Sequence, residues 1–438
     1  MQEFDGVKVH GPDTSIKPEL ERAITVGVER PDSEWSLESS LAELERLVNT
    51  AGAEVVASTQ QRLNSINPRT FVGSGKAEEI ADLCRAYAAD LVVFDDELTP
   101  SQQSNLEKIV GKSVKVIDRT ALILDIFALH ASSKEGRLQV KLAQNQYLYP
   151  RLRGMWAHLA SNRMGGGVGS RFGEGESQLE VDRRLIRDRI TSIKHELKRV
   201  SANRSLQRKN RYDSGVFKVS LAGYTNAGKS SLLNRLTNAE VLSYDKLFAT
   251  LDSTTRQLRL PEGRLITLTD TVGFIQKLPH TLVEAFKSTL DEINGSDLIL
   301  HVVDSSDLCF LDQINTVQEV LQQIGAQEIA RVLVFNKSDL LSEDELLAMR
   351  TRFPEAVFVS SLEGSNIDEL IRRIALVASA QEELIDVLIP YDRGELVSLA
   401  HKSCTILSET YGEQGTALSL RVKPELKSKF ENFIVEGE

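Results

Sequence analysis

Eight consecutive residues, Gly223-Tyr224-Thr225-Asn226-Ala227-Gly228-Lys229-Ser230, hold the chemistry from which the rest of the chain is read. Their spacing, G-x-x-x-x-G-K-S, is that of a phosphate-binding loop. An apolar run at 216–222 precedes it and Ser231-Leu232-Leu233-Asn234-Arg235-Leu236 follows, so a strand feeds the loop and a helix leaves it. The glycines let the backbone curl until its N–H groups point at a phosphate chain, and the helix start adds partial positive charge. Lys229 is expected on the β- and γ-phosphates and the Ser230 hydroxyl on Mg²⁺.

Three downstream stretches name the nucleotide. An apolar strand at 265–269 ends in Asp270-Thr271-Val272-Gly273, a D-x-x-G in which Asp270 polarises Mg²⁺ through water and the Gly273 N–H bonds the γ-phosphate. A second strand delivers Asn336-Lys337-Ser338-Asp339. In this N-K-x-D, the Asp339 carboxylate accepts two hydrogen bonds from guanine N1–H and its exocyclic amine. Adenine offers no such pair, and a polar site left unpaired discriminates strongly. A third strand leads into Ser360-Ser361-Leu362, whose backbone reaches the guanine O6. The nucleotide is GTP.

Lys229 and Gly273 are the catalytic candidates on this reading. The residue after D-x-x-G orients the attacking water in Ras-type proteins as a glutamine, and here it is Phe274. Intrinsic hydrolysis is therefore expected to be slow, on the order of 10⁻³ per second or below, and to await a partner. Gln276 and His280 lie nearby.

Other stretches must position these residues. The chain has 438 residues, 41% hydrophobic and 26% charged, enough for several domains with their own cores. Its three cysteines, Cys84, Cys309 and Cys404, are far apart and form no disulfide or metal spacing, which points to a reducing compartment. No apolar run approaches the roughly 18 residues needed to cross a bilayer. The expectation is a cytoplasmic monomer without membrane insertion.

Between residues 22 and 130 β-rich and helical segments alternate, the mark of a small parallel α/β domain behind a tail at 1–21. Gly73-Ser74-Gly75-Lys76 in this domain mimics a phosphate loop, but Thr70 stands where its first glycine belongs and Ala77 where a magnesium ligand belongs. It reads as a tight turn before a helix. Residues 131–215 contain no strand. Leu138, Leu142, Asn145, Tyr149, Leu152, Trp156 and Leu159 step by four and three, as do Ile186, Ile190, Ile193, Leu197 and Val200. That rhythm is a coiled-coil seam, here an antiparallel helical hairpin. Pro150 is expected to kink or break the first helix, and the glycine-rich stretch 164–175 to form a non-helical tip.

Net charge is −11, which as a whole argues against a nucleic-acid partner. Yet 131–215 carries 18 basic and 8 acidic residues, a surplus of ten, so the remainder stands at −21. One basic segment on an acidic protein suits a polyanion. Arg151, Arg153, Arg163, Arg171 and Phe172 lead to the tip or lie in it, and glycine-rich backbone with arginine suits close approach to irregular RNA. The GTPase domain then spans 216–379, and a small α+β unit closes the chain at 380–438. The fold class is α/β throughout the first and third domains.

The run Asp270-Thr271-Val272-Gly273-Phe274-Ile275-Gln276-Lys277-Leu278-Pro279-His280, with Leu282-Val283-Glu284-Ala285-Phe286, closely resembles the HflX family of ribosome-associated GTPases. So do Phe248-Ala249-Thr250-Leu251-Asp252, Arg163-Met164-Gly165-Gly166-Gly167 and Gly173-Glu174-Gly175-Glu176, and the likeness spans 67–361. Ser253 departs from the proline many relatives have. The resemblance implies the four-part architecture above, with residues 248–252 at the nucleotide, Ser230 and Thr250 on Mg²⁺, and Thr250 in the catalytic set. It also implies docking on the large ribosomal subunit, GTP-dependent splitting of stalled ribosomes, and ATP at the N-terminal domain. A ribosome-assembly GTPase, or a GTP-bound scaffold using the coiled coil to hold a protein, are the competing readings.

Overall fold

The structure is a computed structural model that describes residues 20–31, 35–111, 113–162, 172–212, 216–237, 247–248, 253–277, 287–380, 383–422 and 424–435. The chain divides into two compact units between Leu122 and Ile123. The first is a parallel sheet of β1 (Glu21–Glu29), β2 (Ala53–Arg62), β3 (Leu91–Phe94) and β4 (Lys115–Asp118), in the order β2-β1-β3-β4. Helices α1 (Leu37–Ala51), α2 (Ser74–Ala86) and α3 (Pro100–Val110) connect them.

Local chemistry sets these boundaries. The Ser36 Oγ accepts the Ser39 N–H at the start of α1, and Gly52, at φ +90°, ends it in the left-handed conformation that glycine enters without strain. Thr99 and Gln102 form a reciprocal capping box at α3, with Pro100 at its first turn. Ile24, Val26 and Val28 of β1 pack with Ile80, Phe94, Leu106 and Val116 in one core. Arg119 is buried beside it, donating to Asp95 Oδ1 at 2.6 Å and to Glu43.

Helix α4 (Arg119–His130) starts in the first unit and ends in the second. Next come α5 (Lys134–Asn162) and α6 (Phe172–Tyr212), which form the hairpin. Of the residues expected at the seam, Leu138, Leu142 and Leu152 are buried on α5 and Ile186, Ile190, Ile193, Leu197 and Val200 are half-buried on α6, while the side chains of Trp156 and Leu159 lie outside the described residues. Pro150 lies inside α5, and the helix continues through it rather than breaking, because proline removes one hydrogen bond that the rest of a long helix can absorb. One expectation needs correction. Gly173 and Gly175 are helical within α6, so the expected non-helical tip does not extend to 175, while 163–171 lie outside the described residues.

The remaining strands form two sheets. One has the order β10-β9-β8-β5-β7-β6, built from β5 (Phe217–Gly223), β6 (Thr254–Arg259), β7 (Leu265–Asp270), β8 (Leu298–Asp304), β9 (Ala330–Asn336) and β10 (Val357–Phe358). All its pairings are parallel except β6–β7. Strand β6 had no counterpart in the sequence reading, since its polar, exposed residues give no apolar alternation. Helices α7 (Lys229–Thr237), α8 (Lys287–Asn294), α9 (Phe310–Gln323), α10 (Glu343–Arg352) and α11 (Ile367–Ala380) complete this part. Its near-continuous apolar strands, Leu298-Ile299-Leu300 above all, are those of a sheet covered on both faces. The other sheet is antiparallel, in the order β11-β13-β12: β11 (Glu383–Ile389), β12 (Thr405–Gly412) and β13 (Gly415–Val422), with α12 (Gly394–Ser403) and α13 (Pro424–Phe430). Among the described residues no helix is long and apolar enough to cross a membrane.

Candidate nucleotide site

The site lies at the C-terminal ends of β5, β7, β8 and β9, where open α/β sheets place ligands. Strand β5 runs into the loop at Gly223, and α7 leaves it at Lys229. Two glycines are forced. A Cβ at Gly223 would lie 2.1 Å from the Val302 carbonyl oxygen. Gly228 has φ +88°, and a Cβ there would lie 2.1 Å from Asn336 Nδ2. Any side chain at either position pushes the loop off its neighbouring strand.

Lys229 is only 6% exposed, and its Nζ donates to the carbonyl oxygens of Gly223 at 3.0 Å and Tyr224 at 2.7 Å. Burial pulls its pKa down to about 8, with Asp270 acting in the opposite sense. The ammonium is thus desolvated and held by neutral oxygens, ready for an anion of higher charge. The Ser230 hydroxyl donates to Asp270 Oδ2 at 2.6 Å, which joins the ends of α7 and β7. Thr271 Oγ1 bonds the Leu221 carbonyl at 2.7 Å, Val272 is buried, and Gly273 lies where a Cβ would meet Thr225 at 2.9 Å and Lys229 Nζ at 3.1 Å.

Asn336 fastens the phosphate loop to the loop at Ser361. Its Nδ2 donates to the Ala227 carbonyl at 2.9 Å and its Oδ1 accepts the Ser361 N–H at 3.0 Å. Lys337 takes φ +61°, pairs with Asp304 at 2.6 Å, and lets the Ser338 N–H reach the Val359 carbonyl. Asp339 Oδ1 is buried and receives no hydrogen bond from the protein. An orphan acceptor in that position is satisfied by a base carrying two adjacent donors. Ser360 is fully buried and Ser361 nearly so, while Leu362 is exposed.

Sequence reasoning passed over three contributors. Arg235 of α7 donates from Nε to the Ser361 carbonyl at 2.9 Å and also to the Leu362 carbonyl, so the phosphate helix carries the base loop. Asp304 ends β8 directly opposite Asn336, a register that no local pattern announces. Phe127 of α4 packs edge-on against Phe248, ring centroids 4.6 Å apart, with Phe248 buried at φ +57°.

Ala249, Thr250, Leu251, Asp252 and His280 lie outside the described residues, as do Arg163, Arg171 and the side chains of Arg153 and Phe172. Arg151 is described, and its expected role on RNA is corrected. It is 7% exposed, its guanidinium lies 3.5 Å from the centre of the Tyr147 ring, and it donates to the Tyr147 carbonyl. It holds α5 together rather than facing a ligand, because stacking on an aromatic face and bonding a carbonyl both favour a desolvated arginine. The Gly73 turn opens α2, as expected. Its Gly73 N–H is taken by Gln61 Oε1 and its Lys76 by Glu79 and Thr59.

The matches to known proteins follow this geometry. Residues 38–128 match the family model described as GTP-binding GTPase N-terminal, and 130–211 that described as GTP-binding GTPase Middle Region. Residues 218–337 match the model described as 50S ribosome-binding GTPase. GTPase HflX of Caldanaerobacter subterraneus subsp. tengcongensis is 44% identical over 416 residues, 95% of this chain and 94% of that one. GTPase HflX of Escherichia coli K12 is 43% identical over 385 residues, 87% and 89% of the two chains. A GTP-binding protein of the archaeon Sulfolobus solfataricus, solved with GDP, aligns over 82% of this chain and 99% of its own at 22% identity, TM-score 0.44. With these likenesses along nearly its whole length and a nucleotide site of this geometry, the chain belongs to the HflX family of GTPases and binds and hydrolyses GTP.

Proposed function

We propose that this GTPase is a switch that docks on the large ribosomal subunit through the α5–α6 hairpin and its glycine-rich tip, and that it splits stalled ribosomes in its GTP state. The observation that supports the reading is the ten-charge basic surplus of residues 131–215 joined to a GTPase core. The core's family model is described as 50S ribosome-binding. On α6, Arg184, Arg189, Lys194, Lys198 and Arg199 are exposed along the helix, a spacing suited to phosphates. The proposed domains are 22–130, 131–215, 216–379 and 380–438.

Mg²⁺ belongs to the same reading. A hydroxyl and a carboxylate already meet at Ser230 and Asp270, and both are the hard oxygen donors that Mg²⁺ takes. Ser230 and Thr250 would hold it directly and Asp270 through water, and the ion would neutralise charge on the β- and γ-phosphates. Lys229 and the Gly273 N–H then hold the γ-phosphate, and Asn336, Asp339 and Ser361 hold the base. Loss of the γ-phosphate frees the stretch around Thr250 and the segment after Asp270, which ends binding to the subunit.

Two measurements test this. Large subunits should raise GTP turnover well over tenfold, and 70S ribosomes sedimented with protein and a non-hydrolysable GTP analogue should separate into subunits. Unchanged turnover together with an unchanged 70S peak refutes the reading. Deletion of residues 165–175 should abolish splitting with GTP affinity intact.

A further inference from the structure

Phe274, at the position directly after the D-x-x-G, carries no group that can orient water. Its ring is 2% exposed, and its backbone is bonded on both sides to the phosphate loop: its N–H donates to the Gly223 carbonyl and its carbonyl accepts the Thr225 N–H. It can neither swing out nor bond a water.

Two residues later the chain carries an anomaly. The Gln276 N–H donates to the Tyr224 hydroxyl at 2.8 Å, which ties its backbone to the second residue of the phosphate loop. Its side chain is almost wholly buried, at 2% exposure, yet Oε1 and Nε2 both lack a hydrogen-bond partner. Among the described residues no other glutamine or asparagine has both amide atoms in that condition. Proteins pair nearly all such groups, because an amide taken out of water unpaired is destabilising. The next residue, Lys277, sits at φ +53°, a conformation disfavoured for a residue with a Cβ. A stored amide and a strained backbone thus adjoin, just beyond the D-x-x-G. Costs of this kind persist where function needs them.

We propose that Gln276 supplies the water-orienting amide that Phe274 lacks. Rotation about the Gln276 side-chain torsions, with its backbone still held by the Tyr224 hydroxyl, swings the amide to the γ-phosphate. There Oε1 accepts a hydrogen from the attacking water and Nε2 donates to a γ-phosphate oxygen, so both unpaired atoms are used. The water oxygen forms a bond to Pγ as the bond from Pγ to the β,γ-bridging oxygen breaks. The bridging oxygen keeps the electron pair and leaves on GDP, and the water's proton passes to the released phosphate. Hydrolysis is slow while the amide is stored, and a partner that favours the swung state accelerates it in proportion to its population.

The inference rests on the GTPase assignment, and for acceleration on the ribosome reading. Its test is Gln276→Leu, which keeps the volume and removes the unpaired amide. Single-turnover GTP hydrolysis should fall on the order of 10²-fold, the scale of losing one positioned hydrogen-bonding group at the transition state. GDP affinity should stay within about twofold and Tm should rise. Opposite movements of rate and Tm are the signature, since a packing role lowers both. A rate within about threefold of the parent, or a fall in Tm together with the rate, overturns the proposal. Should Gln276→Leu fail to fold, Gln276→Asn shortens the reach by one methylene and should slow hydrolysis at least tenfold with GDP affinity intact; an unchanged rate overturns the proposal. If large subunits leave the parent's turnover unchanged, the ribosome reading falls, and Gln276 is judged on the intrinsic rate.

Discussion

Two strand–turn–helix units in this chain carry Gly and Lys at similar spacing, and they end differently. In the first unit, Lys76 donates to Glu79 and Thr59 and Gly73 is capped by Gln61, so the polar groups of the turn are satisfied by their own domain. In the second, Lys229 donates to the Gly223 and Tyr224 carbonyls, and it is buried where Lys76 is partly exposed. A further difference is length. Helix α2 begins at once after Gly73, whereas five residues separate Gly223 from α7 and curl into a loop. Glycine content does not make a phosphate site. A backbone curl long enough to surround an anion, and a buried cation held on neutral carbonyl oxygens, do.

The largest effect that can break this contrast comes from steric exclusion. Gly228→Ala should abolish measurable GTP binding, a loss of at least 100-fold, since its Cβ would collide with Asn336 Nδ2 at 2.1 Å. Gly75→Ala has nothing within 4 Å and should stabilise α2 slightly, by about 0.5–1 kcal/mol. Fluorescent-nucleotide titration and thermal melts read the pair. Equal behaviour of the two variants refutes the distinction.

A smaller effect follows from proton linkage at Lys229. The pKa of its ammonium is lowered to about 8, so above that pH the free site has lost a proton that the bound anion requires. Nucleotide binding then takes up a proton, and affinity should fall by up to about tenfold per unit between pH 8 and 10. Lys76→Gln should leave that profile unchanged. A flat profile would place the Lys229 charge outside the binding step.

The smallest effect lies in the sheet itself. His301 of β8 is buried, and desolvation, with Arg331 and Lys229 nearby, lowers its pKa to about 3 from 6.5. The unfolded chain therefore takes up a proton that the folded one refuses. Stability is complete above pH 6.5 and is lost as pH falls toward 3, at most by about 1.4 kcal/mol per unit. His301→Phe should flatten denaturant midpoints across that window, and an unchanged slope would show that other groups govern acid unfolding.

The legibility of this protein follows the range of the interactions involved. The phosphate loop, the D-x-x-G and the N-K-x-D sit at strand ends and are local, so residue type and order identify them. The hairpin seam was equally readable, since a four-three rhythm needs only one helix partner. Strand β6 escaped because an exposed edge strand carries no apolar alternation. Arg151 was misread because its charge is visible in sequence while the Tyr147 ring beneath it is not.

Residue order alone thus determined the nucleotide class, the family and the α/β fold class. It did so because phosphate and guanine recognition depend on backbone geometry that few residues permit. Only the tertiary structure decided which lysine is free for an anion, that Asn336 and Arg235 bind the phosphate and base loops into one rim, and that Gln276 is buried with nothing to bond. Those facts depend on which strands lie side by side. Such pairings join residues more than a hundred positions apart, as in Arg235 and Ser361, beyond the reach of any local pattern.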